Sequence, residues 1–210
     1  MISSGESSAN HLMTIPGMIR AETALADVFV LRQFLSPVEC EALIQRIESR
    51  RRPSTIADDI GDAAFRTSET CEFDHLDPLI VALDAKLAWV SGITPAHGEP
   101  LQGQRYAPGQ QFKPHTDYFE PTGSDFQRYC AVSGQRTWTF MIYLNDVAAG
   151  GETVFEGLGT TVKPQRGKLL CWNNRHPDGT VNPATLHHAT KVRRGVKHVV
   201  TRWYRERPWS

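Results

Sequence analysis

The chain is 210 residues long, 40% hydrophobic and 22% charged, which describes one globular domain with a sizeable core and excludes a disordered or fibrous protein. Lys plus Arg number 23 against 23 Asp plus Glu, so no global field gathers nucleic acid or an anionic membrane. Cys40, Cys71, Cys130 and Cys171 stand far apart with no CxxC pair, which excludes a zinc knuckle or a redox dithiol and predicts reduced, inert thiols.

From Met1 to about Arg20, small polar residues surround a weakly apolar patch, and residues 1–20 are expected to be a flexible lead without function before a single domain over 21–210. The stretch MISSGESSAN lacks the basic start and apolar core of a secretory signal, and no apolar run approaches membrane-spanning length. A cytoplasmic location without membrane contact is therefore expected. Asp27 to Phe34 predicts a strand leading into a helix that starts at Ser36, where the hydroxyl caps, Pro37 fits the first turn and Glu39 completes a capping box. Leu43, Ile44 and Ile47 supply its apolar stripe, and Arg50, Arg51 and Arg52 close it as a solvated cationic end.

Pro53 to Thr70 is polar and punctuated by Gly61, the character of a loop that covers a site. A second helix opens at Asp77 and Pro78, carries Leu79, Ile80, Leu83, Leu87 and Val90, and stops at Gly92. His97 falls in a turn-rich connection and is expected to face solvent, while His75, His176 and His198 have no partner spacing that points to chemistry. From Leu101 onward the texture changes to short strands. Trp138 to Leu144, WTFMIYL, is apolar without alternation, as a strand buried on both faces requires. Glu120 to Gln135 has two glycines and little periodicity, and reads as a mobile loop at the mouth of the site. Helices first and many short strands afterwards give an α+β fold class, a β-sandwich with the N-terminal helices packed outside.

The chemistry concentrates in RYAPGQQFKPHTDYF, Arg105 to Phe119. His115 and Asp117, two positions apart on an extended chain, project from one face and can reach one metal ion. A third ligand must come from farther along, and His187 and His188 are the candidates; neighbours on a strand face opposite ways, so only one of them can join. Two histidines and a carboxylate leave coordination positions open, which suits a non-haem Fe(II) oxygenase.

In full, Tyr106, Pro108, Gly109, Phe112, Pro114, His115, Asp117, the GGETVF run from Gly150 and the ten-residue step from His187 to Lys197 resemble the prolyl 4-hydroxylases. The resemblance spans roughly Val28 to Arg205. These are 2-oxoglutarate-dependent dioxygenases, and membership would imply a double-stranded β-helix, the jelly roll of the cupins. It would also imply Fe(II), 2-oxoglutarate and O2 as cofactors, ascorbate as reductant, and a peptide or protein substrate carrying proline. By the same resemblance His187 is the distal metal ligand and Lys197 pairs with the far carboxylate of 2-oxoglutarate, with Tyr106 and Thr153 bonding that carboxylate. Arg136 and Arg66 would contact substrate, and Trp203, six positions after Lys197 and on the same strand face, would flank the pocket.

The reading that follows is hydroxylation of a peptidyl proline with release of succinate and CO2. Its alternatives are an oxygenase of another side chain or of a small metabolite, and a non-catalytic cupin-like module, against which the intact ligand set argues. A nucleic-acid partner is not expected, because Lys197 stands where the demethylating relatives carry arginine and the neutral charge offers no phosphate track. No GxSxG motif supports a serine hydrolase.

Overall fold

The computed structural model describes residues 4–55, 62, 64–124 and 126–209. Numbered along the chain, β1 (Met18–Arg20), β2 (Val28–Leu31), β10 (Leu169–Asn173), β7 (Arg136–Tyr143), β12 (Lys197–Arg205), β5 (Gln102–Tyr106), β4 (Glu69–Glu72) and β3 (Arg52–Pro53) lie side by side in that order. Every neighbouring pair is antiparallel. A smaller antiparallel sheet has the order β6 (Phe112–His115), β11 (His187–Ala189), β8 (Thr153–Phe155) and β9 (Thr160–Val162).

The pleat of the larger sheet divides its side chains between two cores. Trp138, Phe140 and Ile142 of β7 pack against Leu43, Ile47, Ile80, Leu83 and Leu87 of the helices. The intervening Met141 and Tyr143 point the other way, to Phe155, Val162 and Ala189 of the smaller sheet. β10 divides in the same manner, Leu169 and Cys171 outward and Leu170 and Trp172 inward. The unbroken apolar run in WTFMIYL is thus a strand with a core on each side, and the two facing sheets with helices outside them form the α+β sandwich that the sequence predicts, the jelly roll that the resemblance implies.

The helices start and stop where local chemistry dictates. In α2 (Pro37–Arg50) the Ser36 hydroxyl accepts from the Glu39 amide while the Glu39 carboxylate accepts from the Ser36 amide, and Cys40, Leu43 and Ile47 are at most 1% exposed. In α3 (Pro78–Ser91) the Asp77 carboxylate accepts from the Leu79 amide, and Gly92 ends the helix at φ 67°, a left-handed conformation that costs glycine nothing. Fully burying each leucine or isoleucine of such stripes stabilises by about 1.5–3 kcal/mol, so the sheet-facing side of the helices outweighs the exposed pairs at the end of α2. There Arg51 meets Glu48 and Glu69, and Arg52 meets Glu72.

Three expectations change. The chain is not a frayed lead from residue 4 onward: α1 (Ser4–Thr14) packs on α3, Leu12 is fully buried, and β1 pairs with β2. The apolar patch around Leu12 and Ile15 is what ties it down. Glu120 to Gln135 holds a short helix, α4 (Phe126–Cys130), and Cys130, Ser133 and Gln135 are buried, Gln135 bridging both backbone groups of Phe119. His97 is half-buried, with Nδ1 3.1 Å from the Arg205 carbonyl. Residues 56–61 and 63, the middle of the expected covering loop, lie outside the described residues. The four cysteines are free and buried, and burial raises each thiol, as inert cysteines require. No described helix is long and apolar enough to cross a membrane.

Two substitutions check this account. Ser36→Ala removes the cap and should lower unfolding free energy by about 1 kcal/mol, with Ser36→Asp restoring most of it. Gly103→Ala places a methyl 2.5 Å from Ile47 Cγ1 and 2.8 Å from Phe73 Cζ, and should cost about 1–3 kcal/mol by overpacking. Urea denaturation of both variants measures the ordering.

Candidate active site

The smaller sheet brings the two distant motifs together. β6 and β11 are antiparallel, and the register puts His187 directly opposite His115. Cross-strand partners are the closest side-chain neighbours a sheet offers. Asp117 follows two residues after His115, and ligand atoms of His115, Asp117 and His187 all lie within 4.8 Å of one another. The geometry therefore selects His187. His188 turns away, its Nδ1 3.6 Å from Glu156 Oε1.

Both ligand histidines are held in the same manner. His115 Nδ1 lies 2.8 Å from the Lys113 carbonyl and His187 Nδ1 lies 2.9 Å from the Thr185 carbonyl. A carbonyl only accepts, so each Nδ1 carries the proton and each Nε2 keeps its lone pair. Burial pushes the His115 imidazole down to about 3, helped by the neighbouring His187, and burial also lowers His187. For Asp117 burial acts upward, yet His187, His115, Arg136 and the Thr139 hydroxyl outweigh it and hold the carboxyl below its usual range. Two neutral imidazoles and one carboxylate aimed at a common point, with both tautomers set by outer hydrogen bonds, fit a divalent first-row metal.

Behind the triad a narrow cavity is lined by Tyr106, Thr153 and Lys197 and by residues of the triad itself, with Tyr143 packed against Thr153 and Lys197. Lys197 is opposite Tyr106 across β12 and β5, is 1% exposed, and makes no ion pair among the described residues. Its Nζ lies 5.1 Å from the Tyr106 ring and 5.4 Å from the Tyr143 ring. Burial lowers the ammonium to about 7, with Glu152 acting weakly the other way. Gly151, at φ 77°, lets the turn before Thr153 pass the lysine stem, since a Cβ there would lie 3.3 Å from Lys197 Cδ. The Tyr106 hydroxyl donates to Gln104 Oε1 at 3.0 Å, and Thr153 Oγ1 accepts from Tyr143 at 2.6 Å. A buried amine with phenol and hydroxyl groups around it, and no ion-pair partner among the described residues, can hold an anion.

In front of the triad a cleft of about 1190 Å³ opens to solvent. Arg66, Arg136 and Trp203 all line it. Arg66 stacks on Phe112, which stacks on His115, while its donors are taken by Ser68, Thr55 and Gln102. Arg136 grips Glu99 through Nε and Nη2 at 2.6 and 2.7 Å, donates Nη1 to the Asp117 carbonyl at 3.3 Å, and lies between Phe119 and Trp203. It belongs to the frame of the site rather than standing free. Trp203 borders both cavity and cleft, and its buried Nε1 donor has no partner among the described residues.

Sequence reasoning missed Thr139, whose hydroxyl donates to Asp117 Oδ2 at 2.7 Å, and Tyr143. The available signal was Thr139 itself, a hydroxyl flanked by Trp138 and Phe140.

The Lys197 environment yields a pH dependence. Below about 7 the amine is protonated in both folded and unfolded chains; between about 7 and the ordinary value of 10.5 the folded state has released the proton that the unfolded state still holds. The unfolded chain then binds more protons, so the stability of the ligand-free protein should rise with pH across that window. Lys197→Met should abolish that rise and be more stable than wild type at about pH 6. Denaturation at a series of pH values measures both.

Residues 101–205 match the family described as the 2OG-Fe(II) oxygenase superfamily. The chain is 32% identical over 196 residues to probable prolyl 4-hydroxylase 9 of Arabidopsis thaliana, covering 82% of this chain and 66% of the relative. It is 34% identical over 203 residues to prolyl 4-hydroxylase 1 of the same plant, covering 87% and 70%. The chain thus spans about two thirds of the length of these curated relatives. A solved structure of the viral collagen prolyl hydroxylase of Paramecium Bursaria Chlorella virus-1 in its 2OG complex superimposes with a TM-score of 0.64 at 26% identity, over 85% of this chain and 95% of that one. By this family match and by its likeness to the prolyl 4-hydroxylases, the chain belongs to the 2-oxoglutarate/Fe(II) oxygenase superfamily, within its prolyl 4-hydroxylase family.

Proposed function

We propose that this protein is an Fe(II)- and 2-oxoglutarate-dependent dioxygenase that hydroxylates a peptidyl proline. One observation carries the reading: the β6–β11 pairing sets His187 against His115, and the β12–β5 pairing sets Lys197, buried and without an ion-pair partner among the described residues, in a cavity that shares His115, Asp117 and His187. His115, Asp117 and His187 would hold the metal. Lys197, Tyr106 and Thr153 would hold the far carboxylate of 2-oxoglutarate, the charge-assisted contact that distinguishes a diacid from a monoacid. Bound together, the metal and cosubstrate supply oxidation of an unactivated C–H bond by O2, giving an alcohol, succinate and CO2.

The residues of the chain do the rest. Burial of the cavity excludes water, and the Nδ1 hydrogen bonds of both histidines keep their lone pairs on the metal side. The cleft favours a peptide over a metabolite, since its 1190 Å³ exceeds the roughly 300–1,000 Å³ of small-ligand pockets. Tyr118, Phe119, Tyr129 and Trp203 give it aromatic walls for a proline ring. The unpartnered Trp203 Nε1 supplies a donor for a substrate carbonyl at the junction with the metal cavity. Ascorbate as the reductant that rescues uncoupled enzyme belongs to the same proposal.

Incubation with Fe(II), ascorbate, 2-oxoglutarate and a library of proline peptides, with mass detection of one added oxygen, tests the substrate. Coupled turnover of a small metabolite and of no peptide would remove the peptide assignment. His187→Ala should abolish metal binding and activity while His188→Ala keeps both. Lys197→Ala should raise the 2-oxoglutarate requirement roughly ten- to a hundredfold, the equivalent of losing a charge-assisted contact of about 1.5–3 kcal/mol; an unchanged cosubstrate titration would place the anchor elsewhere.

A further inference from the structure

Thr139 is fully buried on β7, opposite Trp172 of β10, with its hydroxyl 2.7 Å from Asp117 Oδ2 and 3.0 Å from Asn174 Nδ2. A hydroxyl has one proton. The Thr139 hydroxyl donates that proton to Asp117 Oδ2, so the Thr139 oxygen must accept from Asn174. That requirement fixes the Asn174 amide with its NH2 toward Thr139, and leaves Asn174 Oδ1 buried without a partner among the described residues.

Stability alone does not account for this asparagine. Its backbone is satisfied independently, the amide donating to the Thr137 carbonyl at 2.7 Å and the carbonyl accepting from the Asn182 amide at 2.9 Å. A fully buried side chain with one acceptor unpaired is a cost unless its other end has a task.

We infer that Thr139 and Asn174 are positioning residues that restrict Asp117 to a single metal-facing oxygen, Oδ1, and so keep a coordination position open. The inference rests on the metal centre proposed above. Oδ1 is the oxygen that approaches His115 Nε2, at 3.9 Å. Oδ2 is tied back by a hydrogen bond to an ionised acceptor, the stronger kind. Without that tie a carboxylate is free to turn and bind through both oxygens, taking a position that cosubstrate or dioxygen requires. Asn174 acts one bond further out: by occupying the lone pair of Thr139, it leaves the hydroxyl proton only one direction to point.

Titration of the full-length, metal-free protein with Mn(II), followed by electron paramagnetic resonance, tests this without turnover. Calorimetry of the Mn(II)-loaded protein then gives its 2-oxoglutarate affinity. Thr139→Val keeps the shape and removes the hydroxyl; it should weaken Mn(II) about tenfold or more and weaken 2-oxoglutarate further. Thr139→Ser should restore both to within a few-fold, and Asn174→Ala should show a smaller loss in the same direction. A purely structural role would lower the melting temperature of the metal-free variants and leave the affinities of the folded protein unchanged, and that result overturns the inference while the metal centre stands. If Thr139→Val does not fold, Asn174→Ala alone decides by the same titration. A wild-type chain without Mn(II) affinity overturns the metal centre and this inference together.

Discussion

Apart from the half-buried Arg136, every residue of β7 and β12 is buried, and the pleat of these two strands governs what the protein can do. A slip of one residue along β12 would turn Lys197 and Trp203 toward the helices and bring His198 and Arg202 into the cavity. The register is secured from both sides: β12 pairs with β5 from Lys197 to Thr201 and with β7 from Val199 to Tyr204, and Val200 and Tyr204 lock into the helix-facing core. The apolar contacts of α2 and α3 are thus a requirement of the site even though none of His115, Asp117 and His187 belongs to a helix. They make the larger sheet rigid enough to present Thr139, Tyr143 and Lys197 on one face.

Two buried charges of the site are treated in opposite ways. Glu99 is buried, and burial by itself raises its carboxyl, but Arg136 and Arg205 outweigh that and hold it below the ordinary range. The Glu99 charge is met inside the protein by two guanidiniums, and one product is a fixed Arg136 that donates to the Asp117 carbonyl. Lys197 has no ion-pair partner among the described residues, and its ammonium falls to about 7 because burial outweighs the pull of Glu152. An uncompensated buried cation is unstable in isolation and favours whatever anion enters its cavity. The contrast separates frame from binding site on physical grounds.

The same reasoning assigns the histidines. His115 and His187 face the cavity with Nδ1 engaged and Nε2 available, whereas His198 pairs with Glu48 at 2.7 Å on the helix side and His188 lies near Glu156 on the outer side of β11. Adjacent residues, His187 with His188 and Lys197 with His198, therefore serve different surfaces. Strand geometry alone imposes that division.

Much of this was legible in the chain itself, because it depends on neighbours in sequence. The Ser36 capping box, the Asp77 cap with Gly92 at the far end of α3, the doubly buried run WTFMIYL and the same-face pair His115 and Asp117 are all local features, set by hydrogen bonds and periodicities a few residues long. The motif resemblance extended that reading to His187 and Lys197. Other features depended on residues far apart in sequence. That His187 lies across from His115, that Thr139 ties back Asp117, and that Arg136 is committed to Glu99 are contacts spanning 72, 22 and 37 positions. So is the docking of α1 onto α3, which turned an expected loose end into part of the core. Local periodicity states which face of a strand a residue takes, but sheet register and packing decide what stands opposite it, and only the folded chain brings those partners within a hydrogen bond.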